Sequence, residues 1–203
     1  MITLRTATLE DVDAMAAVEA QSWPSGMAAD ATTCCCRVSA YAEGQLVAVQ
    51  DDEIVGVSSA QRITESHLKQ ASHSYNEVTD SNRFTASHSD DGAIYQLIGV
   101  SVLPRFRGLN LGRQLVDHQI DRARGMAGIE RIIGFTRPAK HHEQAHVPMT
   151  TYISLHRASG MHVDPVIAFH LEAGARIVSL HEGFRPNDAE SSGYGVLIEY
   201  PVR

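Results

Sequence analysis

Between Gly108 and Gly128 the apolar residues Leu111, Leu115, Val116, Ile120, Ala123 and Ala127 recur three to four positions apart, with Arg113, Asp117, Asp121 and Arg124 on the other side. That period predicts an amphipathic helix, closed by Gly125 and Gly128. Upstream, AIYQLIGVSVL is a nearly continuous apolar strand that ends at Pro104. QLVAVQ and EIVGVSSAQRI, separated by two aspartates, read as a hairpin. Ile2 to Arg5 is a first strand; Thr8 and Asp11 then make a capping-box-like start for a helix that runs towards Trp23, where WPSG stops it. A Ser/Thr/Cys-bearing segment of helical character follows. RIIGFT is a further buried strand. DPVIAFHLEAGA is a helix with Asp164 as cap and Pro165 at its first position. RIVSLHEGF and GYGVLIEY end the chain as strands. The polar span from Thr64 to Gly92 has little periodicity and is expected to be a long, partly mobile connection. The order β-α-ββ-β-α-β-α-β-β describes an α/β (α+β) architecture, a mixed central sheet with helices on both faces.

Composition narrows the class. A chain of 203 residues with 43% hydrophobic and 20% charged content suits one compact globular domain, 1–203. It has no run of about 18 apolar residues, so no spanning helix and no membrane partner are expected. Its first residues carry Arg5, Glu10, Asp11 and Asp13 without an apolar signal core, so a cytoplasmic location is expected. Cys34, Cys35 and Cys36 are consecutive, a spacing that serves neither a disulfide framework nor a metal site; they read as small buried or half-buried residues in a reducing compartment. The formal net charge of -7 argues against a general nucleic-acid binder, while leaving room for a local basic site that takes a phosphorylated ligand.

One such site is suggested by PRFRGLNLGRQL, which joins the apolar strand to the amphipathic helix. Gly108 and Gly112 let backbone approach a ligand, and free N–H groups at a helix start favour an anion such as pyrophosphate. The stretch resembles the acyl-CoA loop of the GNAT acetyltransferase superfamily. Arg105, Gly108 and Gly112 fit its pattern, whereas Asn110 stands where Gly or Ala is expected. The resemblance extends over nearly the whole chain and implies a GNAT fold. It also implies an acyl-CoA site that includes Val102, Arg105, Arg107, Gly108, Asn110, Gly112 and Arg113. Within the superfamily, EGQLVAV, SSAQRI, GFTRP, DPVIAFH, GFRPND and GYGVLIEY are similar to the GNAT-like domains that prime polyketide synthases. Those domains decarboxylate malonyl-CoA and are described as handing acetyl to an acyl carrier protein. GNAT domains fused to carbon–nitrogen hydrolases share several of these stretches.

The resemblance assigns roles. Phe169 and His170 occupy the Phe-Tyr positions at which other members carry a tyrosine general acid, so His170 is expected to face the thioester. An imidazole exchanges protons near neutral pH, where a phenol only donates. In the polyketide-loading group the matching His and a Thr, here Thr136, are held responsible for decarboxylation, and Arg185 and Trp23 match positions lining the acyl pocket. Loss of CO2 leaves an enolate that needs oxyanion stabilisation, and a guanidinium suits the malonyl carboxylate. The strand from Ala93 to Leu103 has no Asp or Glu to deprotonate an ammonium, which leans towards a thiol acceptor.

HEQAH, His142 to His146, matches a zinc-protease pattern, but Pro138 and Pro148 flank it and no amphipathic helix surrounds it, so no metal is expected. The leading expectation is an enzyme that decarboxylates malonyl-CoA or methylmalonyl-CoA, with acyl transfer to a carrier-protein thiol. The alternatives are N-acetylation of a small amine by acetyl-CoA, and an idle acyl-CoA-binding module.

Overall fold

The computed structural model describes residues 1–203. Strand β1 (Ile2–Thr6) leads through a 3-10 turn (Leu9–Asp11) into helix α1 (Val12–Ser22). Asp11 organises this start: Thr8 N donates to its Oδ2 at 2.7 Å, and the Arg5 guanidinium donates to both of its oxygens at 2.7 Å. The Arg5 hydrogen bonds, foremost, hold the Asp11 carboxyl down at about 2. The predicted capping pair is therefore present and is braced from β1.

Helix α2 (Ala31–Tyr41) carries the three cysteines. Cys34 is buried and Cys36 half-buried, but Cys35 is exposed, contrary to the expectation for all three. At 3.6 residues per turn, three consecutive side chains cannot share a face. Strands β2 (Gln45–Gln50) and β3 (Glu53–Ile63) form the predicted hairpin, with Asp51 and Asp52 at φ 50° and 63°, both positive as a two-residue type I′ turn requires.

The span 64–92 is not the loose connection its composition suggested. It holds α3 (Glu65–Ala71) and α4 (Tyr75–Val78), capped by Thr64 and Ser74. Leu68, Val78 and Phe84 are buried beneath it, and Gln61 donates to Val78 O at 2.9 Å and accepts from Ser87 at 2.7 Å. Helices this short cannot display a 3.6-residue period; caps and buried hydrogen bonds supply the order instead.

Strand β4 (Ile94–Val102), helix α5 (Leu111–Gly125), strand β5 (Arg131–Thr136), the short α6 (Met149–Tyr152), α7 (Pro165–Glu172), β6 (Arg176–His181) and β7 (Gly195–Tyr200) complete the chain. Asp164 caps α7 as expected, accepting from Val166 N at 2.9 Å and Ile167 N at 3.1 Å. The seven strands make one mixed sheet in the order β1-β2-β3-β4-β5-β7-β6, in which β4 and β5 are parallel neighbours. Helices cover both faces: Ser59 of β3 meets Arg37 of α2, while its neighbour Ser58 meets Gln119 of α5.

Two irregularities shape the site. Ala60 pairs with Leu97 but Ser59 with Gly99, so Ile98 is an extra residue, a β-bulge. The bulge inverts the pleat: Tyr95 bonds Gln119 of α5, whereas Ser101 bonds Glu19 of α1 on the opposite face. In addition, β4 and β5 pair only over Ile94–Leu97 and Arg131–Gly134. Beyond those residues the two strands part like a fork.

Candidate active site

A cavity of about 350 Å³ fills the fork. The bulged end of β4 forms one wall and the end of β5 another, with Trp23 following α1, Gly112 opening α5, and α7 contributing Phe169 and His170. Arg107, Arg137 and Arg185 border it and no Asp or Glu does, and of the three only Arg137 is ion-paired, so two free guanidiniums face a cavity in an acidic protein.

His170 and Thr136 come together here from α7 and β5, as the sequence suggested. His170 Nδ1 lies 2.6 Å from the Tyr200 hydroxyl, and its Nε2 has no protein partner and is open to the cavity. The ring is half-buried and lines this cavity. Burial lowers its pKa to about 4, so the imidazole is neutral at pH 7. Thr136 is buried and its Oγ1 has no hydrogen-bond partner.

Trp23 and Arg185 also reach the cavity. Trp23 ends α1 with extended backbone, and its Nε1 donates at 2.8 Å to Ser101 Oγ, which donates at 2.8 Å to the buried Glu19 carboxylate. The indole is thereby fixed against Gly99, where a Cβ would stand 3.5 Å from the ring. Arg185 lies flat on the Tyr75 ring, 3.5 Å from its centroid, and its Nε is buried without a partner. Arg137 takes both oxygens of Asp188, at 2.7 and 2.6 Å, and Glu190 at 2.7 Å. Those two carboxylates are thus occupied, and Arg185 stays unpaired. Four buried polar side-chain atoms lack a partner in the whole chain, and two of them, on Thr136 and Arg185, belong to this cavity's wall. Such atoms are uncommon in proteins and call for a partner such as water, an ion or a ligand.

The glycine-bearing loop is only partly gathered at the cavity. Val102, Arg107 and Gly112 line it; Arg105, Gly108, Asn110 and Arg113 do not. Arg105 is turned away and ion-paired with Glu53. Arg113 donates to Asp117 at 2.7 Å and to the Glu172 carbonyl at 2.9 Å, tying α5 to the end of α7. Gly108 and Asn110 have φ of 80° and 58°. Asparagine is the residue that best tolerates left-handed backbone after glycine, which accounts for its departure from the family pattern.

HEQAH forms a 3-10 turn, His141–Gln144, followed by irregular backbone, so its histidines do not stack one α-helical turn apart. Glu143 pairs with Lys140, and no three His, Cys, Asp or Glu side chains are grouped to hold a metal ion. Sequence reading missed Tyr200, Tyr75, Glu19 and Ser101. Each acts by touching a residue distant in the chain, and none carried a local signal.

A mixed sheet with a bulged fourth strand, opening into a fork before a glycine-bearing helix start, defines an acyltransferase-type fold. The chain belongs to the GNAT acetyltransferase family: the family model described as Acetyltransferase (GNAT) matches residues 10–146. Among solved structures it superposes on the loading GNATL domain of CurA from Lyngbya majuscula with a TM-score of 0.90 at 28% identity, covering 100% of this chain and 98% of that one. It superposes on the GphF GNAT-like decarboxylase in complex with isobutyryl-CoA with a TM-score of 0.85 at 31% identity, covering 99% and 100%. A curated relative, the probable hydrolase YhcX of Bacillus subtilis (strain 168), is 28% identical over 160 residues, 79% of this chain; the match spans 31% of that protein's length. No helix is long and apolar enough to cross a membrane.

Proposed function

We propose that the chain binds malonyl-CoA or methylmalonyl-CoA, decarboxylates it in the fork, and passes the acyl group to the thiol of an acyl carrier protein. The observation that carries this reading is the set of three polar groups without protein partners on residues that line one cavity: His170 Nε2, Thr136 Oγ1 and Arg185 Nε. The 31% identity to the GphF decarboxylase supports it. In this reading the CoA pyrophosphate meets the first turn of α5, whose N–H groups have no intrahelical partner, with Arg107 alongside.

The malonyl carboxylate pairs with Arg185 and is oriented by the Thr136 hydroxyl. As its C–C bond breaks, CO2 leaves and the electron pair moves into the thioester, giving an enolate. The neutral His170 ring donates a hydrogen bond to the enolate oxygen, which counts most in a cavity shielded from bulk water. The carbon then takes up one proton from water, and acetyl-CoA results; the carrier thiolate attacks its carbonyl carbon, the C–S bond to CoA breaks, and CoA leaves as a thiolate that takes up the proton lost by the carrier thiol. Amine acetylation fits less well, since an ammonium with a pKa of about 10.4 needs a base and no carboxylate borders the cavity. A carrier thiol with a pKa of about 8.5 needs less help.

The test is mass spectrometry of CoA species after incubation with malonyl-CoA, run beside His170→Ala. Acetyl-CoA from the wild type alone is the expected result. Malonyl-CoA left intact by both overturns the proposal and returns attention to amine acetylation or passive CoA binding.

A further inference from the structure

Tyr200 reaches across from β7 to α7 and touches His170 through a single contact, Oη to Nδ1 at 2.6 Å. Its hydroxyl has no other hydrogen-bond partner, and its ring lies in an apolar cluster with Ile132, Ile167 and Ile198. The charged groups that act on it, Arg113 and Asp117 of α5, are bonded to each other at 2.7 Å, and neither hydrogen-bonds the phenol. Burial raises the phenol's pKa above its ordinary value, so the oxygen keeps its proton. Tyr200 also lines the cavity, but Nδ1 is the one protein acceptor within reach of its hydroxyl, and a phenol that keeps its proton donates it there across the 2.6 Å contact. Nδ1 is then an acceptor. A neutral imidazole has one ring proton, which therefore sits on Nε2, the nitrogen that faces the cavity.

We propose that Tyr200 is a positioning residue that holds His170 as its Nε2–H tautomer, so that the cavity always meets a donor at that point and never a lone pair. The purpose assigned to this donor rests on the decarboxylation reading; the tautomer does not. A lone pair on Nε2 would repel an enolate oxygen, and loss of the partner that orients the ring is expected to cost about 10- to 100-fold in activity, the scale seen for the outer-shell partners of metal-bound histidines.

The experiment uses full-length protein with 15N-labelled histidine, with the His170 resonances assigned by their loss in His170→Gln. Long-range 1H–15N correlation at pH 7 is expected to report a protonated Nε2 and an unprotonated, hydrogen-bonded Nδ1. In Tyr200→Phe the Nδ1 resonance should move to the position of an unbonded ring nitrogen, and kcat for malonyl-CoA should fall about 10- to 100-fold with KM and CoA affinity unchanged. A protonated Nδ1 in the wild type overturns the proposal, as does an Nδ1 resonance that Tyr200→Phe leaves in place, or a variant with full kcat. Once His170→Gln has supplied the assignment, the wild-type spectrum decides the tautomer without any Tyr200 variant and without substrate. If malonyl-CoA proves inert, the decarboxylation reading falls while the spectra still decide the tautomer.

Discussion

His170 has a folded pKa of about 4, below the 6.5 of an unperturbed histidine, and the lowering comes from burial alone. Decarboxylation by the neutral ring is therefore expected to hold steady from pH 8 to about 5 and to fall only near pH 4; an initial-rate profile with malonyl-CoA checks this. The same shift carries a sign for stability. Between pH 6.5 and 4 the unfolded chain takes up a proton that the native state refuses, so native stability drops as pH falls through that window. His170→Gln removes this component, and its Tm should fall less than that of the wild type over the same range in calorimetry. For Arg185, replacement by Gln is expected to raise KM for malonyl-CoA by about 10- to 100-fold, the worth of a charge-assisted hydrogen bond of 1.5 to 3 kcal/mol, with CoA affinity unchanged in calorimetric titration. Arg185→Lys should not preserve the wild-type KM, since an ammonium has no planar face to lie on Tyr75. The four side chains singled out in the sequence, His170, Thr136, Arg185 and Trp23, do border one cavity. The groups that hold them were invisible because Tyr200, Tyr75 and Ser101 are defined by partners 30 or more residues away, a relation that no local pattern records.

At the scale of the element, the strands and the longer helices were legible because burial imposes a period on them, and because Asp11, Asp164 and the paired aspartates at 51 and 52 each signal a boundary chemically. The short helices of the 64–92 span and the bulge at Ile98 were not, since neither leaves a periodic trace. Asn110 is the clearest test of an element boundary. With φ at 58°, Asn110→Gly should leave stability nearly unchanged, whereas Asn110→Ala is expected to cost about 1 kcal/mol in denaturant unfolding, the penalty of left-handed backbone for a residue with a plain Cβ. The Ala variant should also weaken CoA binding, because the same turn sets the start of α5.

For the whole molecule, a ligand that binds only the folded state stabilises it by mass action. At a hundred times Kd, CoA should contribute about 2.7 kcal/mol, which for a chain of this size raises Tm by roughly 5 to 10 °C in a thermal melt. Arg107→Glu should abolish that rise by setting a negative charge beside the pyrophosphate. The join between β4 and β5 has a further consequence. Four residue pairs, Ile94–Leu97 with Arg131–Gly134, make up the backbone pairing between the β1–β4 and β5–β7 parts of the sheet. The backbone ladder is short along this seam, and an acyl-CoA seated in the fork would act as a clasp across it. Amide exchange at Leu97 and Gly134 should slow on CoA binding more than exchange within the β2–β3 hairpin, so that a site made by parting two strands is also the place where its ligand draws the two halves together.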